Sequence, residues 1–223
     1  MTKQHFPNES EEYRQARSTL LDEETRLREQ IARVAGLRAQ LPSGGVIKED
    51  YEFDEVDRNG TIRKVRLSEL FETGKDSLFL YGFMYGPEVE NPCPMCSSFL
   101  DGLNGNAPHL AERINVAVTA KSPIHRIADY ARARGWDKLR MLSSQHNGYG
   151  LDYFSETEKG EQMPMANVFV RRNSVVQHFW GSEMLYADIE GQPRHLDLMW
   201  PLWNVLDTTP EGRGTDWFPA LTR

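Results

Sequence analysis

The sequence predicts an α/β fold, a mixed sheet flanked by helices and preceded by a long N-terminal helix. Three observations predict it. Leu78 to Tyr85 (LFLYGFMY) and Ile114 to Thr119 (INVAVT) are nearly unbroken apolar runs, as expected of strands buried on both faces of a sheet. A helical pattern follows each run. Two further strand patterns, Met165 to Val170 (MANVFV) and Val175 to Trp180 (VVQHFW), are joined by Arg171-Arg172-Asn173-Ser174, a link short enough for an antiparallel hairpin. With 223 residues, 39% of them hydrophobic, there is material for one sizeable core and an appendage. The expected division is an N-terminal helical arm over 1–45 and a sheet domain over 46–223.

Taken in order, residues 9–41 read as one helix. Leu20, Leu27, Ile31, Val34, Leu37 and Leu41 recur at spacings of three, four and seven among strong helix formers. Asn8 or Ser10 supplies the cap, Glu9, Glu11 and Glu12 suit the positive end of the dipole, and Pro42-Ser43-Gly44-Gly45 stops the helix. Such a helix either folds back on the domain or serves as a dimerisation arm. Residues 46–58 are acidic, with Glu49, Asp50, Glu52, Asp54, Glu55 and Asp57 against Lys48 and Arg58. They read as a solvated edge strand or hairpin turning at Asn59-Gly60. Thr61 to Arg66 is the return strand and Leu67 to Phe71 a short helix. After the first buried strand, the segment from Cys96 to about Leu103 reads as helical. Ser122 then caps a helix running to Trp136 with Pro123 in its first turn. Leu139 to Ser143 is a third short strand, His146 to Gln162 a polar loop, and His195 to Leu206 a last helical stretch. The order is that of a thioredoxin-like fold.

Composition excludes several functions. Lys and Arg number 26 against 33 Asp and Glu, a net charge of −7, so no basic surface tracks nucleic-acid phosphates. No run of about 18 apolar residues is present to span a membrane. MTKQHFPNES lacks the apolar core of a signal peptide, so a cytoplasmic location is expected.

The two cysteines form Cys93-Pro94-Met95-Cys96. A disulfide between them is a poor staple, stabilising by roughly 2 kcal/mol against nearly 5 for a loop of about 100 residues. Chemistry explains the pair better. A buried strand leads to a Pro-rich turn, and the first thiol falls at the start of the next helix. Unpaired N–H groups and the dipole there favour a thiolate. The second thiol lies one turn on, in reach of a mixed disulfide on the first. Three other readings compete. Zinc needs two more ligands: His109 follows Cys96, but Arg113, Ile114 and Asn115 stand where a second histidine belongs, which leaves only a site assembled from distant histidines. Haem attachment needs histidine where Ser97 stands. Two inert core thiols remain the bland alternative. No cofactor and no metal are expected. Among the scattered histidines His178 is the one to watch, mid-strand in VVQHFW; core tryptophans and a surface Arg213 are the default for the rest.

At these residues the chain resembles a known family. NPCPMCSSFLDGLNGNAPHLAERINVAVTA, the helix ending RGW, LRMLSS and PRHLDLMWPLWNVLDTTPEGRG are similar to a bacterial thioredoxin-like family of unknown function, whose members are described as predicted dithiol-disulfide oxidoreductases. The resemblance spans almost the whole chain. It implies Cys93 as nucleophile and Cys96 as resolving thiol, acting on a protein or small-molecule disulfide or thiol. It also implies a cis bond at Met163-Pro164 beside the dithiol, with the Met163 backbone pairing with an extended substrate. The sequence departs from thioredoxins in having Pro92 before the first cysteine and no carboxylate in LFLYGFMY. Glu88, Glu90 or His178 is then the candidate base for Cys96, and a narrower substrate than thioredoxin's is expected. INVAVTAKSPIHRIADYARARGW also resembles the β-α portion of peroxiredoxins, making a thiol peroxidase the alternative. The proline and threonine or serine that precede a peroxidatic cysteine are missing: Gly86 and Glu90 stand before Cys93, Val89 and Cys93 before Cys96. A non-enzymatic homo-oligomeric module with vestigial thiols is the third reading.

Overall fold

The computed structural model describes residues 4–57, 59–191 and 193–221. It divides at Pro42/Ser43 into two compact units. The first is a single helix, α1 (Glu11–Ala39). Ser10 caps it, its Oγ accepting from the Tyr13 N–H at 3.1 Å, and the two glutamates of the first turn face the positive end of the dipole.

The second unit is built on one sheet. Among the described residues its strands are β1 (Glu52–Val56), β2 (Ile62–Arg66), β3 (Ser77–Gly82), β4 (Asn115–Ala120), β5 (Arg140–Ser143), β6 (Ala166–Arg172) and β7 (Val175–Gly181). Their order is β2-β1-β5-β4-β3-β6-β7. Strands β3, β4 and β5 are mutually parallel, and β6 and β7 run antiparallel beside β3. Helix α2 (Pro94–Ala111) crosses from β3 to β4, and α3 (Ile124–Arg134) from β4 to β5. Two parallel crossovers followed by an antiparallel hairpin make the fold thioredoxin-like, as the element order predicts.

Alternation along β3 divides the core. Leu78 and Leu80 join Tyr51, Phe53, Tyr149 and Phe169 on one face. Phe79, Tyr81 and Phe83 join Cys96, Phe99, Trp136 and Trp200 on the other. Period-two side-chain direction requires this split, because neighbouring residues of one strand face opposite ways.

Several expectations change in detail. The acidic strand β1 is not a solvated edge, since β2 covers one side and β5 the other. Phe53 is fully buried, and the buried carboxylate of Glu55 is held below the usual range: Arg140 (2.7 Å) and Arg63 (2.9 Å) outweigh its desolvation. Arg58, counted with that stretch, lies outside the described residues. The turn beyond it stands: Gly60 takes φ +83°, and the Asn59 and Thr61 N–H groups donate to Asp57 Oδ1. Helix α2 continues past Gly102 and Gly105 to Ala111, held by buried Phe99, Leu100 and Ala107. Ser122 does not cap α3; its hydroxyl donates to the Gly86 carbonyl at 2.8 Å and Pro123 takes the cap position. The polar loop holds a short helix, α4 (Tyr149–Asp152). The last helical stretch breaks into a 3-10 turn (Asp197–Met199) and α5 (Pro201–Leu206), because Pro201 cannot continue the preceding turn. Among the described residues no helix is long and apolar enough to cross a membrane.

Candidate active site

The site forms where β3 hands the chain to α2. Past Gly82, the end of β3, the chain runs on through Phe83, Met84 and Tyr85, and the Phe83 N–H still donates to the Thr119 carbonyl of β4 at 2.8 Å. The loop that follows is clamped from α3. Arg126 donates to the carbonyls of Pro87 (2.8 Å) and Val89 (2.5 Å) and lies 4.9 Å over the Tyr85 ring. The chain returns so that the Cys93 N–H donates to the Met84 carbonyl at 3.0 Å. Cys93 is the N-cap of α2 and Pro94 its first residue, where a missing N–H costs no helical bond. The Cys93 carbonyl accepts from the Ser97 N–H and hydroxyl, both at 3.0 Å, and the same hydroxyl meets Tyr130 at 2.9 Å. These bonds fix the backbone around the first thiol.

The two thiols, both free, differ sharply in environment. Cys93 is partly exposed, while Cys96 is 3% exposed. The Cys96 thiol donates to Cys93, and with the backbone N–H groups of Cys96 and Met95 it lowers the Cys93 pKa to about 6 against an opposing desolvation. Burial pushes Cys96 well up, and the charge of Cys93 adds to it; the hydroxyl of Tyr81 opposes both. At neutral pH the pair is a thiolate beside a thiol. That is the electronic state a nucleophile and its resolving partner need.

Of the residues singled out in the sequence, Met163 and Pro164 share a cavity of about 330 Å³ with Cys93 and Cys96. The Met163-Pro164 bond is trans, as every described peptide bond is. The trans form is the intrinsic preference of an X-Pro bond. Nor is the Met163 backbone open to an extended substrate. Its N–H donates to the Ser155 carbonyl and its carbonyl accepts from Met165, both at 2.9 Å. His178 is on the other face of the sheet, its Nε2 3.0 Å from Asn167 Oδ1 and its ring stacked on Tyr153. Burial lowers its pKa. It is therefore no base for Cys96, and Glu88 and Glu90 are exposed on the loop.

Two residues at the site were missed. Tyr81 touches Cys96, and the signal was present: it is one of two tyrosine hydroxyls in the apolar run LFLYGFMY that leads to the dithiol. His195 borders the cavity with Leu185, Trp200 and Trp203. Burial lowers its pKa to about 4, with Asp197 opposing, and its Nδ1 lies 3.1 Å from Ser182 Oγ. It opens the stretch read as the last helix, where one more histidine among six gives no sign of its place beside the dithiol.

A model of the family described as "Bacterial protein of unknown function (DUF899)" matches residues 2–222. No curated protein matches the chain. Among solved structures, peroxidoxin BcpB from Mycobacterium tuberculosis is similar at 19% identity and TM-score 0.43, over 75% of this chain and 99% of its own. AhpC from Enterococcus faecalis is similar at 14% identity and TM-score 0.47, over 79% and 98%. A peroxiredoxin-like protein from Aquifex aeolicus is similar at 14% identity and TM-score 0.41, over 63% and 75%.

Proposed function

We propose that this chain, which belongs to that bacterial family of unknown function, is a dithiol-disulfide oxidoreductase in which Cys93 attacks and Cys96 resolves. The observation that carries the reading is the opposed state of two adjacent thiols, the exposed one with its pKa lowered to about 6 and the buried one raised. The Cys93 thiolate attacks a substrate disulfide, expelling one thiolate and leaving a mixed disulfide. Cys96, losing its proton to the departing thiolate or to water, then attacks the Cys93 sulfur. The second substrate thiol leaves and the protein disulfide closes. Two electrons pass to the substrate; in the reverse direction the same steps oxidise a dithiol.

The test separates the roles. Cys96→Ser should react with a disulfide near neutral pH and hold its partner covalently, whereas Cys93→Ser should be inert to disulfide and iodoacetamide alike. Equal rates, or a faster Cys96, would falsify the assignment. Failure of both variants, with a wild type that resists oxidation, would make the dithiol structural.

We further infer that α1 joins two copies of the chain. Its 29 residues extend roughly 44 Å at 1.5 Å per residue. Leu20, Leu27 and Val34 repeat at sevens along it, the interval at which two helices share an apolar seam. Sedimentation of the full chain and of one beginning at Val46 decides this: a full-length monomer refutes it.

A further inference from the structure

Cys93 stands between two cavities of unlike chemistry. The larger, about 570 Å³, has charged residues, Lys121, Lys159, Glu88, Glu156 and Glu161, in its walls. The smaller, about 330 Å³, has Cys93 and Cys96 together in its wall, with Met84, Met95, Met163, Leu185, Trp200 and Trp203 supplying much of the apolar remainder. Thioethers fit irregular apolar shapes and pack favourably on rings, and indoles offer broad flat faces.

Charge at the small cavity is cancelled within the protein. Arg194 and Asp197 border it, but Arg194 Nε is 2.5 Å from Asp197. Arg213 pairs with the same Asp197 at 3.0 Å and also with Asp207. Two arginines and two aspartates leave no surplus cation. His195 is neutral near pH 7, since its pKa is lowered to about 4. The strongest charge on this cavity is the Cys93 thiolate itself, which repels an anion. The backbone on either side of Pro164 is engaged too: the Met163 N–H and carbonyl are taken, and the Met165 carbonyl accepts from Gly82 at 2.8 Å.

We propose that this cavity is the substrate subsite of the dithiol and receives the uncharged apolar arm, aromatic by preference, of a small-molecule disulfide. This rests on the dithiol-exchange reading above and deepens it. The arm is attached to the sulfur that Cys93 attacks. A Cys93–sulfur bond forms as the substrate S–S bond breaks, and the far half leaves as a thiolate. When Cys96 attacks Cys93, the arm leaves as a second thiolate, the proton of Cys96 passes to it or to water, and the protein disulfide closes.

The test is single-turnover reduction by the full, reduced chain, which needs no added reductant. The probes are dithiobis(nitrobenzoate), which carries two carboxylates, its uncharged dimethyl ester with the same rings, and insulin as a protein disulfide. Each rate is divided by that of mercaptoethanol with the same probe. The ester should exceed the acid by at least about tenfold after this correction, since like-charge juxtaposition disfavours the acid, and insulin should trail the ester. Leu185→Trp, which fills the cavity from a half-buried position, should remove most of that advantage. Equal corrected rates, a faster insulin, or an advantage untouched in folded Leu185→Trp each overturn the subsite. If that variant does not fold, the wild-type ester-to-acid ratio decides alone. Alkylation of Cys93 against pH separates the two levels. A midpoint near 6 without ester preference overturns only the subsite. A midpoint at the free-thiol value, with no probe reduced, overturns the dithiol reading itself.

Discussion

The two faces of the sheet bury ionisable groups to opposite ends. On the face of Leu78 and Leu80, His178, Asn167, Tyr149 and Tyr153 satisfy one another. The Asn167 amide donates to the Tyr153 carbonyl at 3.0 Å while its oxygen meets His178. Burial there silences every group: His178 is held neutral and the Tyr149 phenol is pushed far up. On the face of Tyr81 and Phe83 burial silences Cys96 in the same way, but Cys93 escapes. It lies at a helix start, with N–H groups directed at it, a thiol donor beside it and a cavity before it. Burial on its own makes inert groups; reactivity needs the one position where donors converge and solvent enters.

The sharpest way to break this contrast is to remove the donor. In Cys96→Ala the largest support of the Cys93 thiolate is gone and the N–H groups of α2 remain. The alkylation midpoint of Cys93 should rise from about 6 by at least about one unit, a fall of roughly fivefold or more in rate at pH 6. An unmoved midpoint would assign the whole effect to the helix start.

A second variant tests the junction between strand and cavity. A Cβ on Gly82 would sit 2.6 Å from Ser155 Cβ and 3.2 Å from the Met163 and Met165 carbonyls. No flexible side-chain end is available to yield, so Gly82→Ala must displace the Met163-Pro164 loop. A loss of about 1–3 kcal/mol is expected, typical of overpacking, together with slower disulfide reduction. Denaturant unfolding with unchanged midpoint and unchanged rates would show that the loop yields freely.

Much of this site is legible in the sequence, and the rest fails for identifiable reasons. The strand LFLYGFMY, the Pro-rich turn and the spacing of the cysteines place the dithiol at a strand-to-helix junction, because strand burial and helix capping are local properties. His178 sits mid-strand in VVQHFW, and position along the strand does not by itself say which face meets the dithiol. It shares the face of Val176, two residues before it, and packs on Tyr153 and Phe169, whereas the register shift between Val168 and Phe169 sets Trp180 opposite Val168 and with the other cluster. Helix α2 outruns its glycines and Pro108 because packing of Phe99, Leu100 and Ala107 overrides local propensity. The cavity walls from Leu185 to Trp203 come from far along the chain, and although His195 to Leu206 reads as helical, nothing local says that it packs against the dithiol.

On the quiet face, His178→Phe keeps the ring volume but leaves the buried Asn167 oxygen without the His178 ring nitrogen. A cost of about 1–2 kcal/mol follows from an unpaired buried acceptor, seen as a lower unfolding midpoint. Disulfide reduction should stay within about twofold, since no contact joins His178 to the thiols. A tenfold fall in rate at unchanged stability would restore His178 to the chemistry and erase the distinction between the faces.

The smallest expected effect is the pH dependence of stability, and its sign follows from linkage. Cys93 has a pKa of about 6 in the folded chain and about 8.5 when unfolded. Between those values the unfolded state binds the proton that the folded state has released, so unfolding becomes harder as pH rises. The contribution is complete above about 8.5 and is lost as pH falls through 6. Cys96, raised by burial, acts in the opposite sense and only above its unfolded value. The neutral histidines His178 and His195, both lowered, add stability with rising pH below about 6.5. The interval from about 6.5 to 8.5 therefore belongs to Cys93. Because Cys93 is partly exposed, solvent screening reduces the effect well below what the full pKa difference implies. Urea unfolding of the reduced chain across this interval should show stability rising with pH, and Cys93→Ser should flatten the rise. A slope that persists in Cys93→Ser would place its origin elsewhere. A slope absent from the wild type would mean that the thiolate is no better held in the folded chain than in water, and the contrast between the faces would lose its physical basis.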